Sequence, residues 1–194
     1  MLDAEQEFLQ ELLLIHQNFP KLRIVLEHIT TASAVETISG LPDCVAATIT
    51  DHHLAITLQD VVGSRIQPHH FCMPVAKRPT DRQALLEIVG KGHPSFFSGT
   101  DSAPHLREDK ECDSGCAGVF TSLIHMPLLA HLLDEYGSLD RIQAFTSQFG
   151  ADFYGLKYQK KEIQLIGKPM KVPDDHMGIT PFFAGKILDF SLNT

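Results

Sequence analysis

Two short stretches carry the residue types that metal-assisted hydrolysis requires. In Leu22–His28 (LRIVLEH), His28 closes an apolar run. A histidine there is neutral near pH 7 and can present a ring nitrogen to a divalent metal. It can equally be a polar residue that ends a strand and hydrogen-bonds to backbone. In Ser98–His105 (SGTDSAPH), Asp101 follows a second apolar run. Its carboxylate can ligate a metal and carry a proton between an attacking water and a leaving nitrogen. The same Thr-Asp-Ser run can also form an Asx-turn or a helix cap. Gly99 permits close backbone approach, and Pro104 stiffens the loop that holds His105.

Other polar clusters are weaker. His52-His53 and His69-His70 are adjacent pairs. On an extended segment neighbouring side chains point to opposite faces, so each pair can aim at most one ring at a shared site. A structural or solvent role is expected for at least one member of each. Cys112 and Cys116 form a single loop pair with no second pair, whereas structural zinc normally takes four ligands. Lys77-Arg78 reads as a solvated charge pair in preference to an anion site. Dinucleotide, phosphate-loop, serine-elbow and His-Glu-x-x-His motifs are absent.

The elements that would position these residues alternate. A helix is expected over 3–16, with Asp3 as N-cap and Glu5 and Glu7 favourable in the first turn. Four strands follow: Leu22–Leu26, Val45–Ile49, Phe71–Val75 and Ser95–Ser98. These are apolar runs without alternation, as in a parallel sheet covered on both faces. Helices are expected over Ser33–Ile38, Asp81–Val89, Leu123–Tyr136 (interrupted by Pro127) and Leu139–Phe149. Glu108–Gly118 reads as a loop, Ile163–Ile166 as an edge strand, and the Pro-rich tail as irregular. The pattern is α/β with a parallel sheet, and chemistry is expected at the carboxyl ends of its strands. A (β/α)8 barrel needs about 250 residues. The 194 residues therefore suggest a partial TIM barrel: about four β/α units plus C-terminal helices and a tail, in one domain over 1–194.

Composition is that of a globular chain, 43% hydrophobic and 21% charged. The net charge of −8 argues against general nucleic-acid binding. There is no apolar run long enough for a membrane span and no secretory signal pattern. The four cysteines imply no disulfide framework. A cytoplasmic location is expected.

Four stretches together resemble dihydroorotase of the single-function bacterial type. They are Val25-Leu-Glu-His-Ile-Thr-Thr31, Ala46-Ala-Thr-Ile-Thr50 with His53-Leu54, Phe71-Cys-Met-Pro74 before Lys77-Arg78, and Gly99-Thr-Asp-Ser-Ala-Pro-His105. Gly115-Cys-Ala-Gly118 and Phe153-Tyr-Gly-Leu156 are further segments of this kind. The resemblance implies a (β/α)8 zinc amidohydrolase that interconverts dihydroorotate and carbamoyl aspartate in pyrimidine biosynthesis. It implies two zinc ions, a small-molecule substrate and a possible homodimer. Carried over to this chain, His28 would ligate one zinc. Asp101 would ligate the other and act as general base. His105 would contact the substrate carboxylate, the backbone of Met73 the pyrimidine ring, and the backbone around Ala117 the carboxylate again.

The departures are as informative. The family pattern also has a His-x-His, a bridging carboxylated lysine, another histidine, and an arginine and asparagine that grip the carboxylate. The resemblance places all of these upstream of Met1, so this chain corresponds to a C-terminal half that starts before the fifth strand. One ligand per ion cannot hold zinc as three or four do. The isolated chain is therefore expected to be inactive, with inner residues Ile24, Val45, Phe71 and Phe96 lacking an opposing layer. The alternative is a non-catalytic truncated paralogue that acts as a binding partner or subunit. Closure of a barrel by two copies is disfavoured, because it would still supply neither the lysine nor the His-x-His.

Overall fold

The computed structural model describes residues 1–158 and 161–193. Helix α1 (Ala4–Asn18) leads into β1 (Ile24–Leu26), α2 (Ala32–Ser39) and β2 (Val45–Ile49). Two short helices follow, α3 (Asp51–Ala55) and α4 (Leu58–Val62), then a 3-10 turn at Pro68–His70. Next come α5 (Pro79–Lys91), β3 (Phe96–Ser98), α6 (Arg107–Lys110) and α7 (His125–Glu135). A 3-10 turn at Leu139–Arg141 and a π-helical stretch at Ala144–Gln148 precede α8 (Phe149–Tyr154). The strands β1, β2 and β3 pair in that order, all parallel.

The expected α/β class and parallel sheet hold, with three strands in place of four. Phe71–Val75 is not a strand. Pro74 has no N–H to give a ladder, and the carbonyls of this segment serve side chains. Phe71 O accepts from Lys110 Nζ at 3.0 Å, Pro74 O from the His53 ring at 2.9 Å, and Val75 O from Lys77 Nζ at 2.8 Å. Lys77 is accordingly buried, not a member of a solvated pair. Burial pushes its ammonium below the usual lysine range.

Register decides which face each strand residue occupies. Ile24 lies beside Val45, and Ala47 beside Phe96. With Phe71 they pack in a core that includes Ala34 and Ile38 of α2 and Leu85 and Val89 of α5. The residues expected on an uncovered inner face therefore have an opposing layer: they face the helices. A one-residue offset moves the whole set to the other face. Ala46 and Thr48 point the opposite way, together with Phe97, which packs on Phe153 of α8.

Local signals explain most boundaries. Thr31 Oγ1 accepts from Ala34 N at the start of α2. Pro79 opens α5, and Gly92 ends it with φ 68°. Pro127 sits in the first turn of α7, where proline is tolerated, and does not interrupt the helix. Asp3 precedes α1 as expected but makes no side-chain cap bond. The tail forms two antiparallel ladders: β4 (Leu165–Ile166) with β7 (Ser191–Leu192), and β5 (Met170–Lys171) with β6 (Ile187–Leu188).

Glu5 does more than favour a helix start. Its carboxylate accepts from Thr30 N at 2.9 Å and Thr31 N at 2.9 Å, and from the Thr30 and Thr31 hydroxyls, each at 2.6 Å. It thereby ties α1 to the turn that follows His28. Charge-assisted bonds of this kind are the stronger ones. Glu5→Ala is expected to cost about 1–3 kcal/mol, read as a lower urea midpoint at unchanged m-value. Exposed Glu7→Ala should stay within about 0.5 kcal/mol.

Candidate functional site

The three parallel strands deliver polar residues to one edge of the sheet. His28 follows β1, Thr50 to His53 follow β2, and Asp101 follows β3. His28 has φ 45° and Asp101 φ 42°. Left-handed backbone is uncommon for residues with a Cβ and persists where the surroundings enforce it. Both expected ligand positions thus sit on strained turns at the carboxyl ends of the outer strands.

Thr48 enforces the first turn. Its Oγ1 accepts the His28 N–H at 2.7 Å and donates to Glu27 Oε2 at 2.6 Å, while Ile29 N donates to Thr48 O at 3.0 Å. Gly99 closes on the same residue: a Cβ added there would lie 2.8 Å from Thr48 Cβ. The close approach expected of Gly99 is realised. His28 Nδ1 is buried without a hydrogen-bond partner among the described residues, so no protein group competes with a metal for it.

A loop cluster gathers the remaining sequence candidates. Ala103 N donates to Val119 O at 3.0 Å, and Gly118 N to Phe71 O at 2.9 Å. Gly118 has φ 142°, and a Cβ on it would lie 2.8 Å from His105 Cδ2. His105, the Ala117 segment and the chain leading to Met73 are therefore stitched together. Met73 and His28 both line a cavity of about 380 Å³ with Phe8, Leu26 and Lys77. The Phe71–Met73 segment links this loop cluster to the cavity that His28 lines.

Sequence reasoning missed Lys110. It is buried, and its ammonium donates to the carbonyls of Phe71, Cys116 and Gly118 at 3.0, 2.8 and 2.6 Å. A lone Lys in a charged run gave no sign of this. It also missed the buried Asp51 carboxylate, which receives the His125 Nδ1 proton at 2.9 Å and joins α3 to α7. Burial raises the Asp51 pKa, against the opposing pull of His125.

The histidine pairs differ from expectation. His52 and His53 lie in α3, where strand alternation does not apply; both are buried, with ring centroids 4.4 Å apart. His53 bonds through both nitrogens, to Thr50 Oγ1 at 2.8 Å and Pro74 O at 2.9 Å. His69 pairs with Glu111, and His70 Nδ1 donates to Asp60 O at 2.9 Å. Cys112 is exposed and bonds to Asp109 O, and among the described residues neither it nor Cys116 belongs to a ligand cluster.

No family model matches the chain. It is 42% identical to a dihydroorotase from Marinomonas sp. (strain MWYL1) over 98% of this chain and 57% of that protein. The solved dihydroorotase from Saccharomyces cerevisiae, in complex with 5-fluoroorotic acid, superposes with TM-score 0.90 at 38% identity, over 99% of this chain and 57% of that one. A Campylobacter jejuni dihydroorotase gives TM-score 0.90 at 38% identity, over 100% and 57%. The chain spans little more than half the length of the relatives it matches.

The parallel sheet and its order of helices and strands are shared with the C-terminal half of these solved dihydroorotases, whose fold is a TIM barrel. Over nearly its whole length the chain is similar in sequence and structure to the C-terminal half of dihydroorotases. Among the described residues, no helix is long and apolar enough to cross a membrane.

Two outcomes follow from the site. Gly99→Ala should push on Thr48 and cost about 1–3 kcal/mol, as overpacking does; a neutral result in chemical denaturation would remove that contact from the argument. Burial lowers the His53 pKa to about 4 and lowers that of His52 in the same sense. Between about pH 6.5 and 4 the unfolded chain then binds more protons, so stability is complete above that window and falls as pH drops through it. Asp51, raised, acts in the opposite sense. With chelator present, His53→Gln should flatten the fall by up to about 3 kcal/mol, read from urea midpoints across the window.

Proposed function

We propose that this chain supplies the C-terminal part of a dihydroorotase active site, which hydrolyses the ring amide of dihydroorotate to carbamoyl aspartate and runs the reverse cyclisation. The observation that supports it most is the placement of His28 and Asp101 on left-handed turns at the ends of β1 and β3. Adjacent strands lie about 4.8 Å apart, so residues beyond alternate strands can serve ions in one centre.

In this reading His28 holds one zinc through a ring nitrogen. Asp101 holds the other. Zinc, when bound, supplies Lewis acidity at the amide carbonyl. Asp101 takes a proton from the attacking water and delivers it to the ring nitrogen as the C–N bond breaks. His105 and the backbone at Ala117 bind the substrate carboxylate, and the Met73 backbone holds the ring. Thr48, through its bond to the His28 N–H, positions that ligand. Lys110 positions the loop that carries Ala117. The enzyme's partners in this reading are its small-molecule substrate and a second copy in a homodimer.

The test joins these 194 residues to the N-terminal part of the Marinomonas relative. Zinc-dependent dihydroorotate hydrolysis is expected in the hybrid and should fall at least about 100-fold in Asp101→Asn, with circular dichroism unchanged. The 194 residues alone, with added zinc, should give no turnover. Wild-type rates in Asp101→Asn, or turnover by the lone chain that Asp101→Ala removes, would contradict the reading.

A further inference from the structure

We propose that His52, His53 and Cys72 form a second metal site, for a borderline divalent ion such as zinc, built from donors other than His28 and Asp101. The three ligating atoms all lie within 4.8 Å of one another. Cys72 Sγ is 3.7 Å from His53 Nε2. Zinc bound to one sulfur and one imidazole in tetrahedral geometry sets that edge at about 3.6 Å. The residues are 1%, 2% and 2% exposed, so the donors are held by packing.

His52 supplies the independent observation. Both of its ring nitrogens are buried without a hydrogen-bond partner among the described residues. Buried polar atoms are nearly always partnered, and a ring with neither nitrogen satisfied is costly. Burial favours its neutral form, which leaves a lone pair ready to coordinate.

Proton accounting is consistent with this. His53 Nε2 and Cys72 Sγ both donate to Pro74 O, at 2.9 and 3.3 Å. Two protons thus converge where one divalent cation would sit. On binding, the His53 proton moves to Nδ1 and is donated to Thr50 Oγ1, now 2.8 Å away. That is the outer partner a ligating histidine usually has. The Cys72 thiol gives its proton to solvent, and its sulfur bonds the metal as thiolate. Pro74 O, already beside both atoms, offers a fourth donor. Because the metal displaces the Cys72 proton, its affinity should rise with pH.

Cobalt(II) reports thiolate ligation through a charge-transfer band in the near ultraviolet, which a centre of nitrogen and oxygen donors lacks. The full chain carrying Cys44→Ser, Cys112→Ser and Cys116→Ser is stripped with chelator and titrated with cobalt, then zinc. The band should saturate at one equivalent and be bleached by zinc. It should vanish in Cys72→Ser, and His52→Gln should weaken binding at least about tenfold. Because Cys72→Ser could unfold the chain, a second measurement uses the unsubstituted protein. Zinc should slow alkylation of Cys72, located by peptide mass mapping, and leave exposed Cys112 reactive. Absence of the band, its survival in folded Cys72→Ser, or equal Cys72 alkylation with and without zinc would each overturn the proposal.

Discussion

Thr48 stands where the sheet and the site meet. It lies on the central strand β2, and its hydroxyl takes the His28 N–H and passes its own proton to Glu27. Its Cβ faces Gly99, the residue that carries the chain from β3 toward Asp101. One small β-branched side chain therefore sets the turn after β1 and the approach of the turn after β3. The other edge features answer to the same constraint. His28 holds left-handed backbone where the bonds of its own N–H and of Ile29 N to Thr48 fix the turn on both sides. Glu5 secures the continuation of the first turn.

The protein manages buried polarity by spending loop carbonyls on side chains. The Phe71–Lys77 segment could have been an apolar strand. Its carbonyls bond Lys110, His53 and Lys77, and so it becomes a rigid irregular wall beside the sheet. Three long-range features follow: a buried ammonium that organises the Cys116–Gly118 loop, a neutral imidazole fixed beside Cys72, and a cavity shared by Met73 and His28. Lys110, Lys77 and the His53 ring are each satisfied by backbone oxygen, which avoids the penalty of an unpaired buried group.

The readable parts of the sequence were those where pattern and physics agree locally. Val45–Ile49 is a continuous apolar run, and it is the fully buried central strand. The helices expected at Ser33–Ile38 and Asp81–Val89 are found at Ala32–Ser39 and Pro79–Lys91, with Thr31, Pro79 and Gly92 at their ends. His28 and Asp101 stood out because each follows an apolar run directly. The errors have separate origins. His52-His53 lies on a helical turn, so neighbouring rings can approach each other. Ile24, Val45 and Phe96 face the helices because the pairing register sets the face, which apolar runs without alternation leave undefined.

By itself the sequence determined the α/β class, the order of strand and helix, and the resemblance carried by the Gly99–His105 stretch. These depend on residue type and short spacing, which local sterics and burial translate directly into structure. Tertiary structure alone decided which face each strand presents, that Lys110 and Glu5 are structural anchors, that Asp51 meets His125, and that Cys72 lies beside His53. The Cys72–His53 and Asp51–His125 pairings join residues 19 and 74 positions apart. No local periodicity encodes such contacts. They exist because parallel strands, laid side by side, bring the ends of distant segments to one edge.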